Sequence, residues 1–271
     1  MGYTLVVILI VLILILCTIG VVRQWNNMEK FMGNGIALSA SDLDVYLINM
    51  ERNPDRLNKF VEQYSASDLA PIQFTRLEAV DGKKIDFSKY VSQKAYNEIM
   101  NAEKRGYRVK HYQLTRGAVG CYLSHMEIYK LIAKGNADYA LIFEDDVHFQ
   151  RKDMMQEIQS QIANMPTDWD MILLGCICYV CNNFESYYDV NKFILLHAYM
   201  ITKSAAIKIL NVLEKMPIEQ QIDAVFSKMA DEDILRIYCL KKQLAVQKSA
   251  MGTTIQIPVK ILPGINPFST I

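Results

Sequence analysis

The residues Tyr139-Ala140-Leu141-Ile142-Phe143 form an apolar run that passes, with no turn residue between, into Glu144-Asp145-Asp146. A short apolar run bounded by polar residues reads as a strand buried on both faces. Such strands belong to parallel sheets, whose ligands sit beyond the carboxyl ends of the strands. Alternate side chains of an extended chain share a face. The spacing therefore aims Glu144 and Asp146 at one site and turns Asp145 away from it. Two hard oxygen donors suit a divalent cation such as Mg²⁺ or Mn²⁺, which completes its shell with phosphate oxygens and water. A plain polar exit from strand to loop gives the same letters, so the triplet alone leaves both readings open.

Around this stretch, strand-like and helix-like segments alternate. Asp44 to Asn49 is a second short apolar run, followed by Asn53-Pro54-Asp55, which reads as an N-cap, a first-turn proline and a first-turn acid. The helix that follows, about 54–64, has a core face of Leu57, Phe60, Val61 and Tyr64. Arg52 and Arg56 lie near its start, where they either meet phosphates or pair with Asp55 and Glu51. A strand near 72–77, the turn Val80-Asp81-Gly82-Lys83 and a helical region at 92–105 come next. The alternation predicts βαβ units, hence an α/β fold with a mostly parallel sheet and helices on both faces.

Thr115 is placed to cap a helix that ends at Lys134-Gly135. Its first turns are bare: Gly117, Gly120, Cys121 and Ser124 lie three or four apart on one face, so a ligand or another backbone can approach closely. His125 follows on an adjoining face, as a ligand contact or a satisfied core histidine. Beyond the acids, a helix at about 154–165 and a strand at 171–175 are expected. Residues 181–192 read as loop, 195–202 as strand and 203–216 as helix, and Pro217 opens a further helix containing Asp223. The tail suggests two short antiparallel strands flanking Lys241-Lys242.

The chain has 271 residues, formal net charge zero and 51% hydrophobic content, enough for one globular domain and without the basic balance that nucleic acid invites. The apolar excess is concentrated in Thr4 to Val22, which holds no charge and matches the roughly 20 residues that cross a bilayer core as a helix. The expected organisation is a transmembrane anchor at 4–22, a tether at 23–41, a catalytic domain at 42–250 and an extension at 251–271. Arg23 and Lys30 lean the domain of this single-pass membrane protein towards the cytosol, with the lumenal side as the alternative. Six cysteines, one inside the apolar run and the others scattered, do not spell a secreted disulfide framework. Cys176-x-Cys178-x-x-Cys181 has no second pair after it and reads as strand rather than as a zinc site.

Taken together, four stretches resemble glycosyltransferase family 25, the lipooligosaccharide and collagen-type galactosyltransferases. They are Val45 to Asn49 with Arg52, Pro54, Asp55 and Arg56; Arg76 with Ala79 to Lys83; Thr115 to His125; and Leu141 to Phe149. Trp169-Asp170 with Leu173-Leu174-Gly175, then His197-Ala198-Tyr199, then Pro217 with Asp223, extend the likeness from about residue 44 to 247. The resemblance implies a GT-A type, Rossmann-like fold, a UDP-galactose or UDP-glucose donor, Mn²⁺ or Mg²⁺, inversion at the anomeric carbon, and a glycan or glycoprotein acceptor. By the same resemblance, Glu144 and Asp146 hold the metal. Asn49, Arg52, Arg56, Asp81, Gly82, Gly120, Ser124, His125 and Asp145 surround the nucleotide sugar. Asp223 is the base, with Asp231, Glu232 and Asp233 as rivals. One departure bears on the metal: no histidine follows His197, so Gln247 or water is left to replace a late histidine ligand. A silent glycosyltransferase-like binding module and a metal-dependent nucleotidyltransferase are the alternative functions.

Overall fold

The computed structural model describes residues 42–247 and 257–260. Strand β1 (Leu43–Asn49) pairs in parallel with β2 (Phe74–Glu78) on one side and β3 (Tyr139–Glu144) on the other. Three helices fill the connections: α1 (Pro54–Ser65), α2 (Gln93–Arg105) and α3 (Arg116–Lys134). Their starts follow local chemistry. The Ser92 and Thr115 side chains accept from the Ala95 and Ala118 amides, each satisfying one of the orphan donors of a first turn. Asn53 makes no such side-chain bond, so α1 begins on the fixed φ of Pro54 alone.

The rest of the chain runs through β4 (Val147–Phe149), α4 (Met154–Ile162), β5 (Met171–Leu173), β6 (Ile177–Asn183), β7 (Tyr187–Ile194) and β8 (Ala198–Thr202). It then forms α5 (Lys203–Leu213), α6 (Ile222–Asp231), β9 (Ile237–Leu240) and β10 (Ala245–Gln247). Eight strands make one sheet in the order β2-β1-β3-β8-β5-β9-β7-β6, and β4 pairs with β10 in a small second sheet. Residues from α2, α3, α5 and α6 pack on one face of the large sheet. Those of α1 and α4 pack on the other. Along β3, Ala140 and Ile142 enter the first core and Leu141 and Phe143 the second, so the strand is buried on both faces, which its composition requires.

Several expectations are corrected. The sheet is mixed rather than mostly parallel: β8 lies antiparallel between β3 and β5, and β6, β7 and β9 pair antiparallel. Residues 181–192, expected as loop, lie largely in the β6–β7 hairpin. The tail strands do not pair with each other, since β9 lies parallel to β5 and β10 pairs with β4. The helix expected from Pro217 begins at Ile222. The transmembrane helix and the single-pass membrane location find no support either: no helix among the described residues is long and apolar enough to cross a membrane. Even α3 carries Arg116, Glu127, Lys130 and Lys134. The segment from Thr4 to Val22 and the tether at 23–41 lie outside the described residues, as does most of 251–271.

Gly82 and Gly120 hold the turn after β2 directly against α3. A Cβ on Gly120 would overlap the Val80 carbonyl oxygen and come within 2.6 Å of the Gly82 nitrogen, both of them backbone atoms that cannot swing aside. Gly120→Ala is therefore expected to cost at least the roughly 1–3 kcal/mol typical of overpacking. Urea unfolding of the two proteins measures it, and an unchanged midpoint contradicts the close approach.

Candidate active site

The carboxyl ends of β1 and β3 are neighbours, with Ile48 in register with Glu144. A cleft of about 530 Å³ opens above them, and its wall includes Arg52, Arg56, Asp81, Gly82, Ser124 and all three acids Glu144, Asp145 and Asp146. β3 ends at Glu144, and Asp145-Asp146 form a turn. The alternation expected of an extended strand therefore does not apply, and Asp145 does not point away.

Asp145 is buried and fully engaged. Arg56 Nη1 donates to its Oδ1 at 2.8 Å and Asn49 Nδ2 to its Oδ2 at 2.7 Å, while Arg76 Nε holds the Asn49 side chain by its Oδ1 at 2.9 Å. Arg56 Nη1 also lies 3.6 Å from Asp146 Oδ2. Of the acids near it, Arg56 is thus engaged by Asp145 and Asp146. Arg52 forms an ion pair with Asp81 at the mouth of the cleft.

Glu144 and Asp146 differ in their surroundings. His125 Nε2 lies 3.2 Å from Glu144 Oε1, and the Cys121 thiol donates to the same oxygen at 3.5 Å. Burial opposes ionisation of Glu144, but the His125 contact outweighs it and holds the carboxyl below its usual range. Asp146 accepts from Gln247 Nε2 at 3.0 Å through Oδ2, whereas its buried Oδ1 has no hydrogen-bond partner. Burial, with the Glu144 charge adding to it, pushes its carboxyl up to about 7.

Other expected residues brace the wall or lie behind it. Ser124 Oγ accepts from the Val80 amide at 2.9 Å and donates to the Gly120 carbonyl at 2.8 Å, fastening the Asp81-Gly82 turn to α3. His125 is fully buried, with Nδ1 2.8 Å from Tyr199 Oη. Asp223 does not line the cleft. It lies half-buried in the first turn of α6, where it feels the Glu144 charge, and burial raises its carboxyl to about 6. The sequence reading named Arg76 and Tyr199 only as parts of the family resemblance, gave neither a role in the site, and missed the polar role of Cys121. A polar residue inside a strand or facing inward on a helix is the signal that marks such positions.

The profile of glycosyltransferase family 25 (LPS biosynthesis protein) matches residues 42–226, from the start of β1 into α6. The chain belongs to this family. The matched span is thus a family 25 glycosyltransferase domain and contains every cleft-lining residue named here, while Gln247, which donates to Asp146, lies beyond it. Among curated proteins, procollagen galactosyltransferase 2 of Mus musculus is 31% identical over 135 residues, 49% of this chain and 20% of the relative. The Homo sapiens protein of the same name gives the same figures. A probable inactive glycosyltransferase 25 family member 3 from Bos taurus is 26% identical over 134 residues, 49% of this chain and 21% of the relative. The chain therefore spans about a fifth of the length of the curated relatives it matches.

Arg56→Met would leave the Asp145 carboxylate buried without its cation. Breaking such a pair costs about 3–5 kcal/mol. A corresponding drop in unfolding free energy is expected for the variant, and a midpoint within error of the parent contradicts the pairing.

Proposed function

We propose that this chain transfers a hexose, galactose or glucose, from a UDP-sugar to a hydroxyl of a glycan or protein acceptor, with inversion and with help from Mn²⁺ or Mg²⁺. The observation that carries the reading is Asp146 Oδ1, a buried carboxylate oxygen without a donor in an acid-lined cleft of a family 25 domain. An orphaned buried oxygen is costly unless something pairs with it, and a hard cation meets that need. Asp146 and Glu144 would hold the ion, which when bound supplies positive charge to the departing diphosphate. Arg52, Arg56 and Lys83 bring cationic groups to the same cleft wall.

Asp223 is the proposed base. A carboxyl raised to about 6 is ionised at neutral pH yet more basic than an ordinary aspartate, a balance that proton abstraction favours. The acceptor hydroxyl loses its proton to Asp223 as its oxygen attacks the anomeric carbon from the face opposite the leaving UDP. The names of the relatives favour galactose and a protein hydroxyl. The family description favours a lipopolysaccharide glycan. A silent binding module remains the competing reading because one relative is described as probably inactive.

UDP-sugars incubated with Mn²⁺ and candidate acceptors test the proposal. Release of UDP with a glycosylated product supports it, binding without turnover favours the silent module, and release of pyrophosphate indicates nucleotidyl transfer. UDP affinity should fall sharply in EDTA and in Asp146→Ala; equal affinity with and without the ion removes the metal from the account.

The pH dependence follows from Asp223. Its acid form dominates below about 6 and cannot accept a proton, so kcat/KM is expected to rise with pH through about 6 and then level. Asp223→Asn should lose that limb and about 10²- to 10⁴-fold in rate while still binding UDP. Near-normal turnover in this variant rules Asp223 out and leaves Asp231, Glu232 and Asp233 to be tried.

A further inference from the structure

Cys121 and His125 are four residues apart on α3, the spacing that stacks two side chains on one helix face. Glu144, at the end of β3, lies against that face. The Cys121 sulfur, a His125 ring nitrogen and a Glu144 carboxylate oxygen all lie within 4.8 Å of one another. We propose that these three residues form a cation site for a borderline ion of the Zn²⁺ or Co²⁺ type, which shares Glu144 with the hard-ion position at Asp146 and differs from it in donor chemistry.

The donor set argues for the ion. Sulfur, imidazole nitrogen and carboxylate together are the ligands of zinc-like ions, whereas Mg²⁺ and Mn²⁺ prefer oxygen. Three protein ligands with one open position is the arrangement of reactive rather than structural zinc sites. Here the open side is the cleft, since Cys121 and Glu144 line it while His125 is fully buried behind them. The outer layer is also built. His125 Nδ1 lies 2.8 Å from Tyr199 Oη, which lies 2.7 Å from Tyr129 Oη, so the ring is fixed and Nδ1 has a partner once Nε2 takes the metal. A further imidazole, His197, is buried where the Glu144 charge and the Ala245 backbone both act on it.

Charge and protons balance. Without an ion, the Cys121 thiol donates its proton to Glu144. On loading, a divalent ion replaces the thiol proton, which leaves to solvent, and the imidazole carries its proton on Nδ1. Two positive charges then meet one thiolate and one carboxylate, leaving the buried site neutral. The site stands whether or not the cleft turns over a sugar donor.

Cobalt spectroscopy tests it. The full chain, reduced and stripped with a chelator, is titrated with Co²⁺. One equivalent should bring up a thiolate-to-cobalt charge-transfer band with the visible bands of four-coordinate Co²⁺, and Zn²⁺ should erase both. Cys121→Ser should lose the charge-transfer band, and His125→Gln should bind Co²⁺ at least about tenfold more weakly, since even an outer partner is worth that much. Asp146→Asn should keep the spectrum. Because His125 is buried, its variant is read only if its melting curve stays cooperative; Cys121→Ser is the deciding variant, with Cys121→Ala as its duplicate. No band in the parent chain overturns the proposal. So does a band that survives both Cys121 variants, for the thiolate would then come from one of the other five cysteines.

Discussion

The buried carboxylate of Asp145 is the constraint on which the site depends. A charge removed from water must be met by donors or it destabilises the fold by several kilocalories per mole. Arg56 from α1 and Asn49 from the end of β1 meet it, and Arg76 from β2 fixes Asn49 in turn. Three consecutive segments of the chain are thus tied to the turn that follows β3. With Asp145 consumed by structure, its neighbours Glu144 and Asp146 are left facing the cleft, each in a different electrostatic setting.

The same logic separates what could be read from the sequence and what could not. The buried strand at 139–144 was legible because five apolar residues leave no solvent face, and α3 was legible because Thr115 and Gly135 bracket it. Strand direction was not. Antiparallel β8 carries the same continuous apolar run as its neighbours, since burial on both faces erases the alternation that marks sheet type. The β6–β7 hairpin was hidden for the opposite reason: β6 is an edge strand with most of its residues exposed, so no apolar pattern announces it. Membrane crossing was argued from Thr4 to Val22 alone, and the described helices give it no support.

Site residues divide along similar lines. Acids at a strand end and glycines in a helix start stand out from an apolar background, and the structure brings both groups to one cleft. Which acid faces which partner was not legible, because it turns on β3 ending one residue before Asp145. A single residue of strand length reverses the faces of everything beyond it.

The hairpin that the sequence concealed reaches the proposed base through one residue. Leu195 follows the end of β7 and precedes β8 with φ 80, in the left-handed region that a side chain like leucine adopts only under constraint. Such a conformation costs on the order of 1–3 kcal/mol and persists where its surroundings dictate it. Its amide hydrogen-bonds to the Asp223 carboxylate, as does that of Ala224. Backbone donors favour the ionised form, while burial and the Glu144 charge oppose it, so the carboxyl settles between the two at about 6. The strained turn thus helps to hold the half-buried Asp223 carboxyl, and α6 supplies the fixed platform on which it stands.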